Sequence, residues 1–319
     1  MKTIGVLTSG GDAPGMNAAV RAVVRTAISL GMNVKGVRRG YNGLIDGDVF
    51  DMDVRSVSNI MNRGGTMLFT ARSPQFKTKE GVQAAIDNCK KMGIEGLVVI
   101  GGDGSFRGAR DLSLGGVPCV GVPGTIDNDI ASTEYTIGFD TAMNTAMEMA
   151  DKLRDTVQSH DRCSVIEVMG RNAGHLALQC GIAVGATAIL VPEVESNVDE
   201  IILKIKKSQL DGKKHFIIVV AEGVGGVDDI AKKIEEQTGI ISRATVLGHV
   251  QRGGNPTVRD RVAATELGFA AVKLLEKGIG NRVVAFNNGE VVDYDIYEAL
   301  NMKKPLDMKM YEIANTTSI

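Results

Sequence analysis

The chain contains 319 residues, of which 44% are hydrophobic and 23% are charged, so it can bury the core of one or two domains. Its net charge of −2 and its lack of tryptophan argue against nucleic-acid and anionic-membrane partners, which need basic patches and stacking side chains. The cysteines form no close motif and are expected to be buried, reduced thiols; they are Cys89, Cys119, Cys163 and Cys180. Without a signal peptide or an apolar run of membrane-spanning length, a cytoplasmic protein is expected.

The first apolar strand, Ile4–Leu7, leads into a glycine-rich loop over residues 8–17 and a helix that ends near Leu30. A second strand is predicted over Val34–Val37. A strand, a glycine loop and a helix in this order present backbone N–H groups and the positive end of the helix dipole to an anion. A purely structural turn is the alternative interpretation.

A second unit of this kind follows the helix predicted over Thr78–Met92 and the apolar strand Gly96–Ile100. Its loop, Gly101–Ser105, contains a carboxylate at Asp103. A carboxylate beside bound phosphate would repel it unless a cation lies between them, so Asp103 is a candidate Mg²⁺ ligand. Arg72, in a loop before this helix, would join the site if it faces the same phosphates.

A third loop follows the short buried strand predicted over Val117–Val122, and Pro123-Gly124 is expected to end its pairing. The next residues carry a hydroxyl, two carboxylates and an amide: Thr125, Asp127, Asn128 and Asp129. Because ligands of open α/β sheets bind just beyond the carboxyl ends of strands, this segment is a candidate catalytic segment. Glycine, proline, aspartate and asparagine are also common turn residues, so a solvated turn is the alternative.

Three predicted strands therefore end in polar glycine loops, which together indicate a nucleotide phosphate and metal site. The two common nucleotide motifs are absent. Gly10 and Gly15 have P-loop spacing, but Met16-Asn17 follow them. Gly102, Gly104 and Gly108 do not fit G-x-G-x-x-G. A P-loop NTPase and a dinucleotide-binding enzyme are both disfavoured.

The alternation of strands and helices resumes beyond Gly138, where a domain boundary is expected. Strands are predicted over 164–168, 186–191, 216–221 and 245–247, and helices over 140–156 and 198–209. Right-handed βαβ units around a parallel sheet are the simplest fold for this order. This half places cations at strand ends and loops: Arg162, Arg171, Arg243, His249 and Arg252. They indicate a second phosphate site, with solvated surface charges as the alternative.

The motifs in these loops resemble those of the bacterial ATP-dependent 6-phosphofructokinase family. They are Gly-Gly-Asp-Ala-Pro-Gly-Met-Asn-Ala-Ala at 10–19, Gly-Gly-Asp-Gly-Ser at 101–105, Pro-Gly-Thr-Ile-Asp-Asn-Asp at 123–129, Met-Gly-Arg at 169–171 and Gly-His-Val-Gln-Arg-Gly-Gly at 248–254. The resemblance spans essentially the whole chain. The motifs are jointly specific, although Gly-Gly-Asp-Gly alone also resembles NAD kinases and lipid kinases.

This resemblance implies an α/β fold of two Rossmann-like parallel-sheet α/β/α domains with the active site between them. The larger, ATP-binding domain would comprise residues 1–138 and about 251–301, and the smaller, fructose 6-phosphate-binding domain residues 139–250 and about 302–319. The implied reaction is phosphorylation of D-fructose 6-phosphate by ATP at the 1-hydroxyl, the committing step of glycolysis. A homotetramer that uses Mg²⁺ is implied as well.

The resemblance also implies roles for individual residues. Asp127 would be the general base, Thr125 would position the transferred phosphoryl group, Asp103 would hold Mg²⁺ and Asp129 would assist. The γ-phosphoryl charge would be met by the N–H of Gly11, by Arg72 and by Arg171. The other implied ATP-binding positions are Ser73, Gly102, Gly104, Ser105 and Gly108.

On the acceptor side, the resemblance implies that arginines and a histidine hold the substrate phosphate: Arg162, Arg243, His249 and Arg252. Met169 and Glu222 would surround the sugar. Arg162 and Arg243 would reach across from a neighbouring subunit, so that a monomer could not assemble the site. The implied substrate positions also include Ile126, Gly170, Val250 and Gln251.

Two glycines bear on the phosphoryl donor. Pyrophosphate-using relatives have Asp in place of Gly104 and Lys in place of Gly124. A carboxylate at position 104 would crowd and repel the α-phosphate of ATP, and a lysine at position 124 would supply charge for a smaller donor. ATP is therefore the expected donor.

The family also binds ADP as an activator and phosphoenolpyruvate as an inhibitor between subunits. The matching positions are Arg21, Arg25, Ser58, Asn59, Arg154, Gly185, Lys213, Lys214 and His215. This chain departs from the family at Thr187, where Glu is common, at Asp211, where a basic or neutral residue is usual, and at Val54, where the arginine is displaced to Arg55. An altered or weak allosteric response is therefore expected.

Two other functions remain open at the level of sequence. A kinase for NAD or a lipid would share the Gly101–Ser105 loop but has no need of the cation cluster over 243–252. A nucleotide-sensing regulatory subunit has no use for a general base. It is disfavoured by the joint presence of Asp103, Thr125, Asp127 and Arg171.

Overall fold

The computed structural model describes residues 1–195 and 197–318, so Ile319, the last residue of the expected smaller domain, lies outside the described residues. The strands are β1 (Thr3–Ser9), β2 (Asn33–Val37), β3 (Val49–Met52), β4 (Gly96–Gly101), β5 (Cys119–Pro123), β6 (Cys163–Val168), β7 (Ala188–Leu190), β8 (Phe216–Ala221), β9 (Ser242–Val246), β10 (Arg282–Asn287) and β11 (Glu290–Asp295). The α-helices are α1 (Met16–Ser29), α2 (Gly40–Asp46), α3 (Lys79–Lys91), α4 (Asp103–Leu114), α5 (Phe139–Ser159), α6 (His175–Ala183), α7 (Val198–Leu210), α8 (Val227–Thr238), α9 (Val258–Glu276), α10 (Ile296–Asn301) and α11 (Met308–Thr317). Two short 3₁₀ helices cover Gln75–Lys77 and Gly248–Arg252.

Backbone contacts divide the chain into two compact units. Unit 1 comprises Met1–Ile126, Ile130–Thr141 and Arg252–Lys304. Unit 2 comprises Asp127–Asp129, Ala142–Gln251 and the residues from Pro305 onward. The chain therefore passes from one unit to the other within the candidate catalytic segment and again at the start of α5.

Unit 1 is built on a seven-stranded sheet in the order β11-β10-β5-β4-β1-β2-β3. Its five central strands are parallel, and β3 and β11 pair antiparallel at the two edges. The central strands read as short apolar runs because they are buried on both faces, as in other parallel sheets. The carboxyl ends of β1, β4 and β5, which precede the three glycine loops, therefore lie at one edge of this sheet.

Unit 2 is built on a four-stranded parallel sheet in the order β7-β8-β6-β9. The apolar core beside it includes Phe216 on β8 and Ile205 on α7, both almost completely buried. The expected α/β class with two parallel-sheet units is thus confirmed. None of the described helices combines the length and the apolar character that a membrane crossing requires.

The two antiparallel edges were not among the predicted elements. The β10–β11 hairpin turns at Asn288-Gly289, where both residues have positive φ angles of 51° and 77°. This Asn-Gly pair is the common signature of a tight hairpin turn. The edge strand β3 is only four residues long and follows α2 closely, so neither its length nor its pattern marks it in the sequence.

The expectation of buried, reduced cysteines is confirmed, since all four are free and buried. Burial raises the pKa of the Cys89, Cys163 and Cys180 thiols to about 12, so they remain protonated and unreactive at neutral pH. The described residues contain no cluster of three or more cysteine, histidine or acidic side chains that could hold a metal ion.

Candidate active site

The glycine loop after β1 lies directly before α1. Gly10 and Gly15 have φ angles of 89° and 103°, which glycine adopts without strain. Gly15 occupies the N-cap position of α1, and no side chain caps this helix end. The N–H of Met16, the first of the helix, donates to the carbonyl of Ala13 at 3.2 Å, so an anion site at this helix start stays a prediction for the N–H groups that follow it.

The same loop brings together two residues that the sequence assigned to different ligands. The Arg252 side chain lies against Gly11, where an added Cβ would be 2.4 Å from its Nη1 atom. Arg252 also donates a hydrogen bond of 3.1 Å to the carbonyl of Asp12. Gly11 therefore has a second reason to be glycine, because any side chain there would displace Arg252.

The segment before Arg72 is fixed to this loop by side-chain hydrogen bonds. Asn17 donates to the carbonyls of Arg63 and Gly64 and accepts from the N–H of Met67 at 2.7 Å. Thr70 donates to the carbonyl of Gly10 at 2.9 Å. The exposed Arg72 thus follows a segment that is held beside the glycine loop. The hydroxyl of Ser73 accepts a hydrogen bond from the N–H of Phe76, in the 3₁₀ helix over Gln75–Lys77.

The loop after β4 is tied to the loop after β1. The Ser105 hydroxyl donates to the carbonyl of Ser9 at 3.0 Å, which joins the carboxyl ends of two neighbouring strands. Asp103 lies in the first turn of α4 with its side chain 42% exposed, and its carboxylate pairs with Arg107 at 3.0 Å. It is a lone accessible carboxylate at the positive end of a helix.

The glycines of this loop differ in what a side chain would meet. A Cβ on Gly104 would have no atom within 4 Å, and a Cβ on Gly102 would come no closer than 4.0 Å to Thr125. A Cβ on Gly108 would collide with the ring of Tyr41 at 2.6 Å. Packing against Tyr41 therefore explains why position 108 is glycine, whereas the space beside Gly104 is open to a ligand.

The candidate catalytic segment begins as predicted at the end of β5, but the pairing does not stop at Pro123-Gly124. Gly124 donates to the carbonyl of Gly101, Thr125 donates to Ile137, and Ile137 donates back to Pro123, each at 3.0 Å. The expected break in pairing is therefore wrong. Proline lacks only its N–H, and its carbonyl still accepts a hydrogen bond from the returning segment.

Asp127, in unit 2, is the buried acid of this segment. Its side chain is only 1% exposed, and its Oδ2 atom lies 3.3 Å from Nε of Arg171. Asp129 is less buried, and its Oδ2 atom lies 3.7 Å from Nη1 of the same arginine. One half-exposed guanidinium therefore compensates both carboxylates, which a buried charge requires.

The position of Arg171 is set by Glu222, which follows β8. One oxygen of Glu222 accepts hydrogen bonds from the backbone N–H groups of Gly170, at 3.2 Å, and Arg171, at 2.6 Å. Both residues have positive φ angles, 137° and 55°, and the second is uncommon for a side chain of this size. Glu222 thus holds a strained turn that aims Arg171 at the two acids.

The loop after β9 reaches the same edge of the unit 2 sheet. Gln251 is completely buried; it accepts from the N–H of Met169 at 3.2 Å and donates to the carbonyl of Gly248 at 3.1 Å. His249 and Val250 lie exposed between them in the 3₁₀ helix. In unit 1, the Ile126 side chain is completely buried and would contact a Cβ on Gly138 at 3.3 Å.

Arg162 and Arg243 do not join this group. Arg162 immediately precedes β6, and Arg243 pairs with Ser164 near the start of β9. Both therefore lie at the amino edge of the parallel sheet, about 20 Å from the residues that follow β6 by the rise of a strand. Glu235 on α8 accepts a hydrogen bond from the N–H of Ser242 at 3.0 Å and lies 3.5 Å from Arg243.

The candidate effector residues of unit 1 lie on α1 and after β3. Arg21 and Arg25 are one helical turn apart, and burial together with the charge of Arg25 lowers the pKa of Arg21. The other three follow β3, where Asn59 has a φ angle of 57°; the residues are Arg55, Ser58 and Asn59.

In unit 2, the candidate effector residues include two cations that share one environment. Burial and the charge of Arg154 lower the pKa of Lys213, and Arg154 donates to the carbonyl of Val184, next to Gly185. Asp211 is exposed at the C-cap of α7, and Thr187 is buried. The remaining positions are exposed or half-buried: Lys214 and His215.

Two polar residues at these loops were not singled out from the sequence. The Tyr41 hydroxyl donates to the carbonyl of Ser105, inside the ATP-binding candidate loop. Asp260 is completely buried and accepts hydrogen bonds from the segment that pairs with Thr125. Only the spacing Thr257-x-x-Asp260, which resembles a helix cap, marks it in the sequence.

The sequence and the fold are similar to those of known proteins. A family model described as phosphofructokinase matches residues 3–275. The ATP-dependent 6-phosphofructokinases of Clostridium botulinum (strain Loch Maree) and Clostridium tetani are each 55% identical over 318 residues, covering 100% of both chains.

Solved structures of two phosphofructokinases have a similar fold. The phosphofructokinase from Saccharomyces cerevisiae has a TM-score of 0.89 and 35% identity, covering 100% of this chain and 48% of that chain. The Pichia pastoris phosphofructokinase in the T-state has a TM-score of 0.90 and 34% identity, covering 99% and 36%. This chain thus spans half or less of the two yeast chains but the full length of the clostridial proteins. The chain belongs to the phosphofructokinase family.

Proposed function

We propose that the chain transfers the γ-phosphoryl group of ATP to the 1-hydroxyl of D-fructose 6-phosphate. The products are fructose 1,6-bisphosphate and ADP, and the reaction commits the sugar to glycolysis in the cytoplasm. The observation that carries this proposal is the buried Asp127, paired with Arg171 directly after β5, in a chain 55% identical to ATP-dependent 6-phosphofructokinases along its whole length.

Asp127 is proposed as the general base that takes the proton from the sugar hydroxyl. An unperturbed aspartate, with a pKa of about 3.9, is a weak base toward an alcohol. It suffices because the hydroxyl loses its proton only as the phosphoryl group arrives, and because positioning and charge stabilisation dominate phosphoryl transfer. Arg171 pairs with Asp127 in its buried position, and Asp129 is proposed to assist.

The donor side is assigned to unit 1, the proposed ATP-binding domain. The N–H of Gly11 and the α1 N-terminus meet the phosphates, with Thr125 and Arg72 at the transferred group. The remaining ATP positions are Ser73, Gly102, Gly104, Ser105 and Gly108. The open space above Gly104 supports a nucleotide rather than pyrophosphate as donor.

Asp103 is the proposed magnesium ligand. It fits because Mg²⁺ keeps several waters and uses one or two carboxylates together with substrate phosphates, and Asp103 offers one accessible carboxylate at the start of α4. When bound, Mg²⁺ neutralises phosphate charge. Arg107 would have to release Asp103, and their exposed pair is weak enough to allow this.

The acceptor side is assigned mainly to unit 2, the proposed fructose 6-phosphate-binding domain. Met169, Gly170 and Glu222 surround the sugar, and His249 contacts its phosphate together with Arg252. Arg162 and Arg243 are proposed to reach the site of a neighbouring subunit in a homotetramer. Their place at the opposite edge of the sheet supports this assignment, because an arginine side chain cannot span about 20 Å.

We further propose that ADP and phosphoenolpyruvate act on this enzyme through the positions on α1, after β3 and around Arg154 and Lys213. Thr187 lacks the carboxylate that would hold the effector's cation, Val54 lacks a positive charge, and the acidic Asp211 repels an anionic effector. The allosteric response is accordingly expected to be weak.

A coupled assay of the purified protein tests the proposed function. Fructose 6-phosphate is offered with ATP or with pyrophosphate, each with and without Mg²⁺, and release of ADP and fructose 1,6-bisphosphate is followed. We expect turnover with ATP and Mg²⁺ only. Turnover of NAD or a lipid in place of the sugar, or turnover with pyrophosphate alone, would contradict the proposal.

A further inference from the structure

Asp260, the third residue of α9, is a completely buried carboxylate with four donors around it. Its Oδ1 atom accepts from the N–H of Gly138 at 2.7 Å and from the Tyr135 hydroxyl. Its Oδ2 atom accepts from the N–H of Thr141 at 2.9 Å and from the Thr141 hydroxyl at 2.5 Å. All four donors lie on the segment over residues 135–141.

A role in capping its own helix does not explain this arrangement. The N-cap of α9 is Thr257, whose side chain accepts from the N–H of Asp260, and the Asp260 carboxylate points to another segment instead. A buried carboxylate is costly unless hydrogen bonds compensate it, and removing it leaves the donors unsatisfied. The interaction therefore fixes residues 135–141 to the start of α9.

The fixed segment is the one that supports Thr125. Ile137 pairs with Pro123 and Thr125 through hydrogen bonds of 3.0 Å, and the Thr136 hydroxyl donates to the carbonyl of Thr125 at 2.7 Å. A shift of the segment relative to α9 would consequently move Thr125.

The glycine loop before α1 packs against Ile137, Gly138 and Asp260. A Cβ on Gly15 would lie 2.6 Å from Ile137 and 3.5 Å from Cβ of Asp260. A Cβ on Gly138 would lie 2.7 Å from Cβ of Ala13. The loop that carries Gly11 therefore has little freedom to move independently of Asp260.

The Arg252 loop, residues 252–257, leads directly into α9. At its end next to this helix, the N–H of Thr257 donates to the Thr141 hydroxyl at 3.0 Å. Arg252 itself contacts the carbonyl of Asp12. Thus the Thr141 hydroxyl joins the Arg252 loop, the segment over 135–141 and Asp260 in one chain of hydrogen bonds.

We propose that Asp260 is a positioning residue for phosphoryl transfer. Through the segment over 135–141, it keeps Gly11, Thr125 and Arg252 in fixed positions relative to one another. The inference rests on the proposed function. Asp260 touches no reacting group; it acts by keeping the groups that meet the transferred phosphoryl and the sugar phosphate in their places. Misplacement of such groups by about 1 Å can slow a reaction by about 100-fold.

The loop over Gly102–Gly108 is held by hydrogen bonds that do not involve Asp260. Ser105 bonds to Ser9, and Tyr41 bonds to Ser105. Loss of the Asp260 carboxylate is therefore expected to lower kcat and to raise KM for fructose 6-phosphate. KM for ATP is expected to rise less, because the Gly11 contact is disturbed but the loop over Gly102–Gly108 keeps its own hydrogen bonds. A purely structural residue would instead reduce the amount of active enzyme and leave both KM values unchanged.

Steady-state kinetics of Asp260→Asn, Thr141→Val and Thr141→Ser, with melting temperatures, test this inference. Asn replaces one oxygen by an amide donor, which faces the N–H of Gly138 or that of Thr141 whichever way the side chain turns, and Val removes the shared hydroxyl. We expect kcat to fall at least about 10-fold and KM for fructose 6-phosphate to rise at least about threefold in the first two, with a smaller rise in KM for ATP. Thr141→Ser retains the hydroxyl and should restore both values.

Asn88→Ala is the matched control. The Asn88 side chain donates to the carbonyls of Leu44 and Ile45 on α2, so its loss should lower the melting temperature without changing either KM or kcat per folded enzyme. If Asp260→Asn does not fold, Thr141→Val against Thr141→Ser decides the question.

Wild-type kinetics in folded Asp260→Asn or Thr141→Val would overturn the inference. The inference would also be wrong if these variants behave as Asn88→Ala does, with loss of active enzyme alone. Failure of the unmodified chain to phosphorylate fructose 6-phosphate would instead refute the proposed function, and this inference with it.

Discussion

The guanidinium of Arg171 lies 3.3 Å from the Asp127 carboxylate, although the two residues are 44 positions apart in the sequence. Arg171 remains 47% exposed while Asp127 is 1% exposed. The pair therefore combines a buried acid with an accessible guanidinium, which suits a site that must deprotonate an alcohol and receive phosphoryl charge.

Replacing Asp127 by Asn tests whether Asp127 is the general base. The amide keeps the shape but cannot take a proton, so we expect kcat to fall about 10³-fold, within the range for lost general-base catalysis. Binding of MgATP, measured by calorimetry, should stay within about twofold. Asp129→Asn serves as the comparison, since Asp129 is farther from Arg171 and should cost less. Turnover unchanged in Asp127→Asn would remove this residue from the mechanism.

Glu222 offers a test of how Arg171 is positioned. Glu222→Ala leaves the N–H groups of Gly170 and Arg171 without their acceptor, which costs about 1–3 kcal/mol, and the strained turn is expected to relax. We predict a fall in kcat of at least about 10-fold and a higher KM for fructose 6-phosphate.

Glu222→Gln tests whether Glu222 acts through its two hydrogen bonds to the turn or through its negative charge. Its carbonyl oxygen can accept the same two hydrogen bonds, so kcat should recover most of the loss seen in Glu222→Ala. Equal losses in Gln and Ala would mean that the charge of Glu222, and not its hold on the turn, is what the reaction needs.

The central strands and the glycine loops could be predicted because each leaves a local signal. A short apolar run such as Gly96–Ile100, followed by glycines and an acid, marks both a buried strand and the loop at its end. The observed β4 differs by one residue only, because Gly101 still pairs with Pro123. The pairing beyond Pro123 could not be foreseen, since its partner, Ile137, is brought back by a loop with no regular pattern.

The relationships that give the site its geometry are the least visible in the sequence. Nothing near Glu222 indicates that it holds the turn at Arg171, and nothing near Asp260 indicates four donors from another segment. Both depend on side-chain hydrogen bonds across more than 50 residues. Motif resemblance identified Glu222 as a candidate but gave it a different role, at the sugar, and that assignment stays a prediction.

Gly104→Asp tests the choice of phosphoryl donor. A Cβ at this position meets no atom within 4 Å, so the variant should fold with an unchanged melting temperature. The added carboxylate should raise KM for ATP at least about 10-fold through repulsion of the phosphates. Gly104→Ala is the steric control and should change KM for ATP by less than about threefold. Equal ATP kinetics in Gly104→Asp and the wild type would show that the open space is not the nucleotide site.

Asp211→Lys tests the weak allosteric response. We expect little inhibition of the wild type by phosphoenolpyruvate in saturation curves for fructose 6-phosphate. The lysine replaces a negative charge by a positive one at the end of α7, near two cations of the proposed effector site, and should lower the half-inhibitory concentration several-fold. Glu236→Lys makes the same charge change on α8, where Glu236 pairs with Lys232, and should have no such effect. Strong inhibition of the wild type, relieved by ADP, would contradict the expectation.

Subunit mixing tests whether each site needs a neighbour. Arg243 lies at the amino edge of the unit 2 sheet and Arg171 at its carboxyl edge, and we propose that each substrate is bound by these two residues from different subunits. Coexpression of Asp127→Asn with Arg243→Ala should therefore recover about a quarter of the wild-type activity, because a random closed oligomer contains that share of sites with both halves intact. Coexpression of Asp127→Asn with Arg171→Ala should recover none, since both residues belong to the same half of the site. Hybrid oligomers of the first pair that remain inactive, once differently tagged subunits confirm their formation, would show that Arg243 does not serve a neighbouring site.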